Sequence, residues 1–264
     1  MPTADRPHRD HHALVCGASA GIGRAVAFAL ASRGARLSIL ARRAEPLGAL
    51  VPELQWAGAR EVFAIAADLA DEQGVIDAAE AVLAQGGPVH ILINNSGGPA
   101  GGPLLSVSPA AFLAVFRQHV ISAQLLSQRF VPGMAAAGFG RIVNIVSTSV
   151  YEPIPGLGLS NTVRAAMGGW SKSLSRELPP GVTINNVLPG FTDTERLVGL
   201  AAARAAAQGI GVEEVRRGWL AEVPEGRLIE PEETAETVAF LCSAAAGAIR
   251  GVSLAVDGGR SRGI

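Results

Sequence analysis

The sequence predicts an α/β domain built on a parallel sheet of about seven strands, doubly wound, with helices on both faces. Three observations predict it. Short apolar runs alternate with longer segments of helical period along the whole chain. The runs are apolar almost without interruption, as a sheet covered on both faces requires, rather than alternating with polar residues. The first run passes straight into a glycine cluster and then a helix, the arrangement that opens a nucleotide-binding βαβ unit.

In order, the runs at 13–16, 37–41, 62–66, 89–93, 142–146, 183–188 and 252–256 read as strands. The helical segments between them are 21–33, 44–57, 71–85, 109–137, 157–178 and 231–246. No repeat or break in composition divides residues 13–264, so one Rossmann-type domain is expected after a polar leader at 1–12. The stretch 193–222, rich in alanine and arginine, interrupts the alternation. Its length suits a helical lid over the carboxyl edge of the sheet, or a surface insertion.

Composition removes several classes of function. Lys+Arg 22 against Asp+Glu 23 leaves a net charge of −1, so no strong field recruits nucleic acid or an anionic membrane. No segment approaches the ~18 uninterrupted apolar residues of a membrane span. The 32 glycines show no G-X-Y period. Cys16 and Cys242 suit neither a disulfide framework nor a zinc site, and no metal is expected. The leader lacks an apolar core, so the expected setting is cytoplasmic and the expected partner a small-molecule substrate. The chain also contains a single tyrosine, Tyr151, and a single lysine, Lys172.

The glycine cluster reads Gly17-Ala18-Ser19-Ala20-Gly21-Ile22-Gly23. Glycines let the backbone turn tightly and approach a pyrophosphate, while the helix N-terminus offers amides and partial positive charge. At the end of the second strand, where a carboxylate would bind the ribose hydroxyls of NAD, stand Ala41, Arg42 and Arg43. Guanidiniums there favour a 2′-phosphate, so NADP is expected in preference to NAD.

Further along come Asp68-Leu69, Asn94-Asn95-Ser96-Gly97, Pro189-Gly190-Phe191-Thr192-Asp193-Thr194 and Val256-Asp257-Gly258-Gly259, each after a strand. In this order and spacing the set resembles the short-chain dehydrogenase/reductase family over nearly the whole chain. The resemblance implies that Gly17, Ser19, Ala20, Gly21, Ile22 and Gly23 surround the pyrophosphate and that Asp68 and Leu69 meet the adenine. It implies that Asn95, Ser96 and Gly97 line a ribose, with serine where the family usually has alanine. Pro189, Gly190, Thr192 and Thr194 would hold the nicotinamide end. Dimers or tetramers through the helices at 109–137 and 157–178 are implied too.

At the catalytic positions the chain departs from the family, which pairs a serine after the fifth strand with Tyr-x-x-x-Lys on the next helix and an asparagine on the preceding one. The serine is Ser147, but the pair aligns with Ser160 and Arg164, and His119 stands where asparagine is expected. No other register restores the pair, since Pro155 lies four residues after Tyr151 and Gly168 four before Lys172. An aliphatic hydroxyl is a far weaker acid than a phenol, and arginine stays protonated, so it holds ribose hydroxyls or an oxyanion without shuttling protons. His119 is either a buried structural histidine or a proton donor. Tyr151 is either a relocated phenol or a packing residue in the rigid turn before Pro153. The readings carried forward are an NADP(H)-dependent oxidoreductase for carbonyls or alcohols with an altered proton path, a dinucleotide-binding protein without turnover, and a non-redox enzyme like the haloalcohol dehalogenases.

Overall fold

The structure, a computed structural model, describes residues 7–263, so residues 1–6 of the expected leader lie outside it. Seven parallel strands form one sheet in the order β3-β2-β1-β4-β5-β6-β7. They are β1 (His12–Cys16), β2 (Arg36–Ala41), β3 (Val62–Ala66), β4 (Ile91–Asn94), β5 (Gly140–Ile145), β6 (Val182–Pro189) and β7 (Ser253–Val256). The inner strands β1, β4, β5 and β6 are buried along their whole length, whereas the edges β3 and β7 are partly open. Burial on both faces accounts for the apolar majority of these strands, and the polar residues among them are buried and mostly hydrogen-bonded, Asn94 to Asn144 and Asn144 to Asn186 for example.

Helices α1 (Gly21–Ser32), α2 (Ala44–Trp56), α3 (Glu72–Gly86), α4 (Pro109–Phe116), α5 (Ser122–Ala137), α6 (Gly158–Glu177), α7 (Glu195–Gln208), α8 (Val212–Ala221) and α9 (Pro231–Leu241) complete the fold. On one face, Val26 and Leu30 of α1, Leu47 of α2 and Val238 of α9 pack on the sheet. On the other, Val82 of α3, Phe130 of α5 and Leu174 of α6 do so. The chain leaves β1 in one direction for β2 and β3, then returns past it to β4. That reversal opens a crevice at the carboxyl ends of β1 and β4, where ligands bind in such sheets. No helix among the described residues is long and apolar enough to cross a membrane.

The differences from the expected boundaries have physical causes. The segment 109–137 is helical throughout, but a π turn at Arg117–Ile121 separates α4 from α5. Strand β5 begins two residues before the apolar run because Arg141 lies inside the sheet, only 4% exposed. Its guanidinium donates to Gly140 O, Gly181 O and Ser243 O and stacks on Phe139. Helix α9 stops at Leu241, and a 3₁₀ turn, Ala244–Ala246, replaces its expected last turn. The stretch 193–222 becomes α7 and α8, packed on each other through Leu197, Ala201, Val215 and Trp219.

The leader is less separate than expected, since His12 is the first residue of β1 and His8 is buried against His11. His12 Nδ1–H donates to Gly87 O at 3.1 Å, and its Nε2 accepts from Ser38 Oγ at 2.9 Å. Burial, then the neighbouring His11, brings His8 from its ordinary 6.5 down to about 4. Burial likewise brings His12 down to about 4, against the opposing pull of the Gly87 carbonyl. The unfolded chain protonates near 6.5 and the folded one resists to about 4, so this stability is complete above 6.5 and lost as pH falls between the two values. Urea midpoints measured at successive pH values should therefore drop most steeply across that interval. A His8→Gln/His12→Gln variant should show a flatter dependence.

Candidate active site

Between β1 and α1 the backbone turns through Gly17 and Gly21, with φ of 62° and 52°, a region open to glycine. Space imposes a second constraint. A Cβ on Gly17 would lie 2.6 Å from Asn95 Nδ2, and one on Gly23 would lie 2.1 Å from Gly17 O. Asn95 Nδ2 donates to Cys16 O and Gly17 O at 3.2 and 3.3 Å, so the end of β4 clamps the glycine turn. Ala20, the N-cap of α1, supplies no side-chain acceptor, and the first turn contains no acidic residue. The leading amides of α1 therefore have no partner from the helix or its cap, which suits an anion.

The turn forms one wall of a cleft of about 830 Å³ along the carboxyl edge of the sheet. Nearly all of the expected cofactor residues line it: Gly17, Ser19, Ala20, Gly21 and Ile22 from the turn; Arg42 and Arg43 after β2; Asp68 and Leu69 after β3; Asn95, Ser96 and Gly97 after β4; Pro189, Gly190, Thr192 and Thr194 after β6. Gly23 does not. It lies beneath Gly17, where its missing Cβ lets the turn and α1 close on each other. The helices of 193–222 contribute Leu197, Leu200 and Trp219 to the wall of the cleft.

Of the expected catalytic residues, Ser147, Ser160 and Arg164 meet in this cleft. Ser147 Oγ accepts from the Ser149 amide at 3.1 Å, which fixes the side chain at the end of β5. Ser160, on the first turn of α6, makes no side-chain hydrogen bond among the described residues. Arg164, one turn further, is 8% exposed. It donates to Ile145 O at 2.7 Å and more weakly to Ser96 O at 3.4 Å. Burial, then the charge of Arg196, lowers its pKa to about 10, so at neutral pH it remains a cation.

His119 and Tyr151 do not join them. His119 lies behind Ser96, 5% exposed, with Nδ1 2.7 Å from Ser96 Oγ. Burial, then Arg164, depresses its pKa to about 2, so the ring is neutral and is no acid at physiological pH. Its burial behind Ser96, outside the cleft lining, speaks for the structural reading. Tyr151 is half-exposed, and its hydroxyl donates to Ser253 O at 2.8 Å on β7. Tyr151 follows the 3₁₀ turn Thr148–Val150 and is not among the residues that line the cleft, which speaks for the packing reading. Lys172 is engaged elsewhere as well, with Nζ donating to Gly251 O at 2.9 Å.

Comparison with known proteins places this arrangement. The family described as Enoyl-(Acyl carrier protein) reductase matches residues 17–261. The chain belongs to the short-chain dehydrogenase/reductase family. It is 31% identical to a 3-oxoacyl-[acyl-carrier-protein] reductase of Aquifex aeolicus over 247 residues, covering 93% of this chain and 95% of the relative. It is 34% identical to a cis-4-hydroxycyclohexanecarboxylate dehydrogenase of Sinomonas cyclohexanicum over 257 residues, covering 94% and 95%. Its fold matches the L-sorbose reductase of Gluconobacter frateurii, solved with NADPH and L-sorbose, at a TM-score of 0.92 and 28% identity, covering 98% and 100%.

Two residues of this chain prove to be neighbours. Ser96 and His119, both singled out in the sequence, hydrogen-bond each other through their side chains. The π turn contributes here, since Gln118 and His119 both reach the loop after β4, Gln118 Nε2 donating to Gly97 O at 3.1 Å. Sequence reading flagged both positions without pairing them. It missed the α7 charges Glu195, Arg196 and Arg204, which also line the cleft. Their one signal was the proximity of 195 and 196 to the Pro189–Thr194 motif. Two stability outcomes follow. Gly23→Ala should lose roughly 1–3 kcal/mol in denaturant unfolding, because its Cβ meets backbone rather than a movable side chain. Ser96→Ala and His119→Leu should be non-additive by about 1 kcal/mol in a double-mutant cycle.

Proposed function

We propose that this chain is an NADP(H)-dependent oxidoreductase that interconverts a carbonyl and an alcohol, with Ser147, Ser160 and Arg164 acting where the family uses serine, tyrosine and lysine. One observation carries the reading: the cleft that presents the dinucleotide motifs also presents these three side chains. The cofactor fits the residues present. A cradle without Cβ atoms and the open amides of α1 suit its pyrophosphate, and Arg42 and Arg43, exposed and without an ion pair among the described residues, suit a 2′-phosphate. Bound NADPH supplies the hydride.

The chain's own residues do the rest. Ser147 and Ser160 donate hydrogen bonds to the substrate oxygen, and Arg164 offsets the negative charge that develops there. Arg164 remains charged, so the proton that completes reduction reaches the oxygen from solvent through the serine hydroxyls. This is a slower route than a tuned phenol, whose general-acid contribution is worth roughly 10²–10⁴-fold. A second reading, dinucleotide binding without turnover, is favoured by the same absence of a titrating donor, with His119 neutral and Tyr151 turned away.

A homodimer or homotetramer is part of the proposal. Helix α4 buries none of its residues, and Leu113 is 55% exposed on a strongly apolar segment. A second copy packed against α4 and α5 would cover it.

Mixing the protein with NADPH and a panel of ketones and aldehydes, while following nicotinamide absorbance, tests the activity. Turnover that survives Tyr151→Phe and falls at least about tenfold in Ser160→Ala supports the mechanism. Binding without turnover across the panel supports the second reading. Arg42→Ala/Arg43→Ala should weaken NADPH by about tenfold or more and leave NADH nearly unchanged. Light scattering should give a dimer or tetramer mass that Leu113→Asp reduces.

A further inference from the structure

Every ion pair among the described residues lies outside the cleft. Inside it are five guanidiniums, Arg42, Arg43, Arg164, Arg196 and Arg204, and only two carboxylates, Asp68 and Glu195. The charges fall into groups. Arg42 and Arg43 follow β2, three strand positions from β5, the strand that leads to Ser147. Arg164 and Arg196 lie on the other side, near the catalytic hydroxyls.

Arg196 stands on the first turn of α7, and its guanidinium donates to Pro99 O and lies against Gly98. It thus spans from α7 to the loop after β4. Arg164 is more than nine-tenths buried, and two backbone carbonyls take only two of its five N–H donors. The charge of Arg196 reaches Arg164 strongly enough to help lower its pKa. Both guanidiniums line the cleft without an ion pair, and such uncompensated positive charge is offset when an anion binds there. Glu195 adjoins Arg196 but pairs with neither. The wall around them is apolar, with Ile154, Leu157, Leu200 and Trp219.

We propose that the substrate is an organic acid: a carbonyl or alcohol compound whose carboxylate docks against Arg196, leaving Arg164 to the reacting oxygen, while its apolar body lies against α7 and α8. The proposal rests on the oxidoreductase reading above. A cofactor phosphate is the other source of the same negative charge, and the experiment separates the two.

Apoprotein and NADP⁺-loaded protein are titrated calorimetrically with matched acids and methyl esters: hexanoate, cyclohexanecarboxylate and benzoate. The expected result is that at least one acid binds the loaded protein about tenfold or more tightly than its ester. Arg196→Ala should abolish that preference and Arg196→Lys should keep part of it, both leaving NADP⁺ affinity within about twofold. Equal binding of acids and esters, or no binding by any acid, overturns the proposal. So does an Arg196→Ala variant that keeps the preference, or one that loses NADP⁺ instead, which would assign Arg196 to a cofactor phosphate. The NADP⁺ titration alone reads the underlying function, so failure there is distinct from failure of the acid preference.

Discussion

The tight closure of the glycine turn on the end of β4 is the constraint on which the rest of the site depends. Gly17 and Gly23 leave room for Asn95, whose amide holds the carbonyls of Cys16 and Gly17. This contact joins β1 to β4 at the point where the sheet reverses direction. It therefore fixes the position of the α1 amides relative to Ser96 and Gly97, the next residues along. A larger residue at any of these glycines would separate the two walls of the cleft.

From that junction a chain of contacts leads to the catalytic end. Ser96 meets His119, which the π turn directs inward, and the Ser96 carbonyl meets Arg164. Arg164 in turn holds Ile145 O at the end of β5, just before Ser147. Ser96, His119 and Arg164 thus form one connected group at the cleft wall. A neutral histidine is the imidazole form compatible with a buried guanidinium beside it, and burial keeps it neutral. The result is a site lined with hydrogen-bond donors and fixed positive charge.

Much of the fold was legible because buried parallel strands are written as apolar runs, and the cleft because its glycines and Asn95 obey strict spacing. What escaped reading has a common cause. Arg141 and His12 lie in strands but carry charge or polarity, which pattern reading takes as strand ends, although buried carbonyls and Ser38 satisfy them. The π turn has no sequence signature, since it depends on where Gln118 and His119 find partners in another loop. The direction of Tyr151 depends on Ser253, about a hundred residues away. Its absence from the Tyr-x-x-x-Lys register could be counted in the sequence, but its hydrogen bond to β7 could not.

The central claim is that the proton path runs without a titrating side chain. The pH dependence of kcat/KM for NADPH-linked reduction tests it most directly. The account predicts a slow reaction with a nearly flat profile across neutral pH, changing only on approach to the value of about 10 to which burial has brought Arg164. A sigmoidal or bell-shaped limb centred near pH 7 would reveal a titrating acid and contradict it.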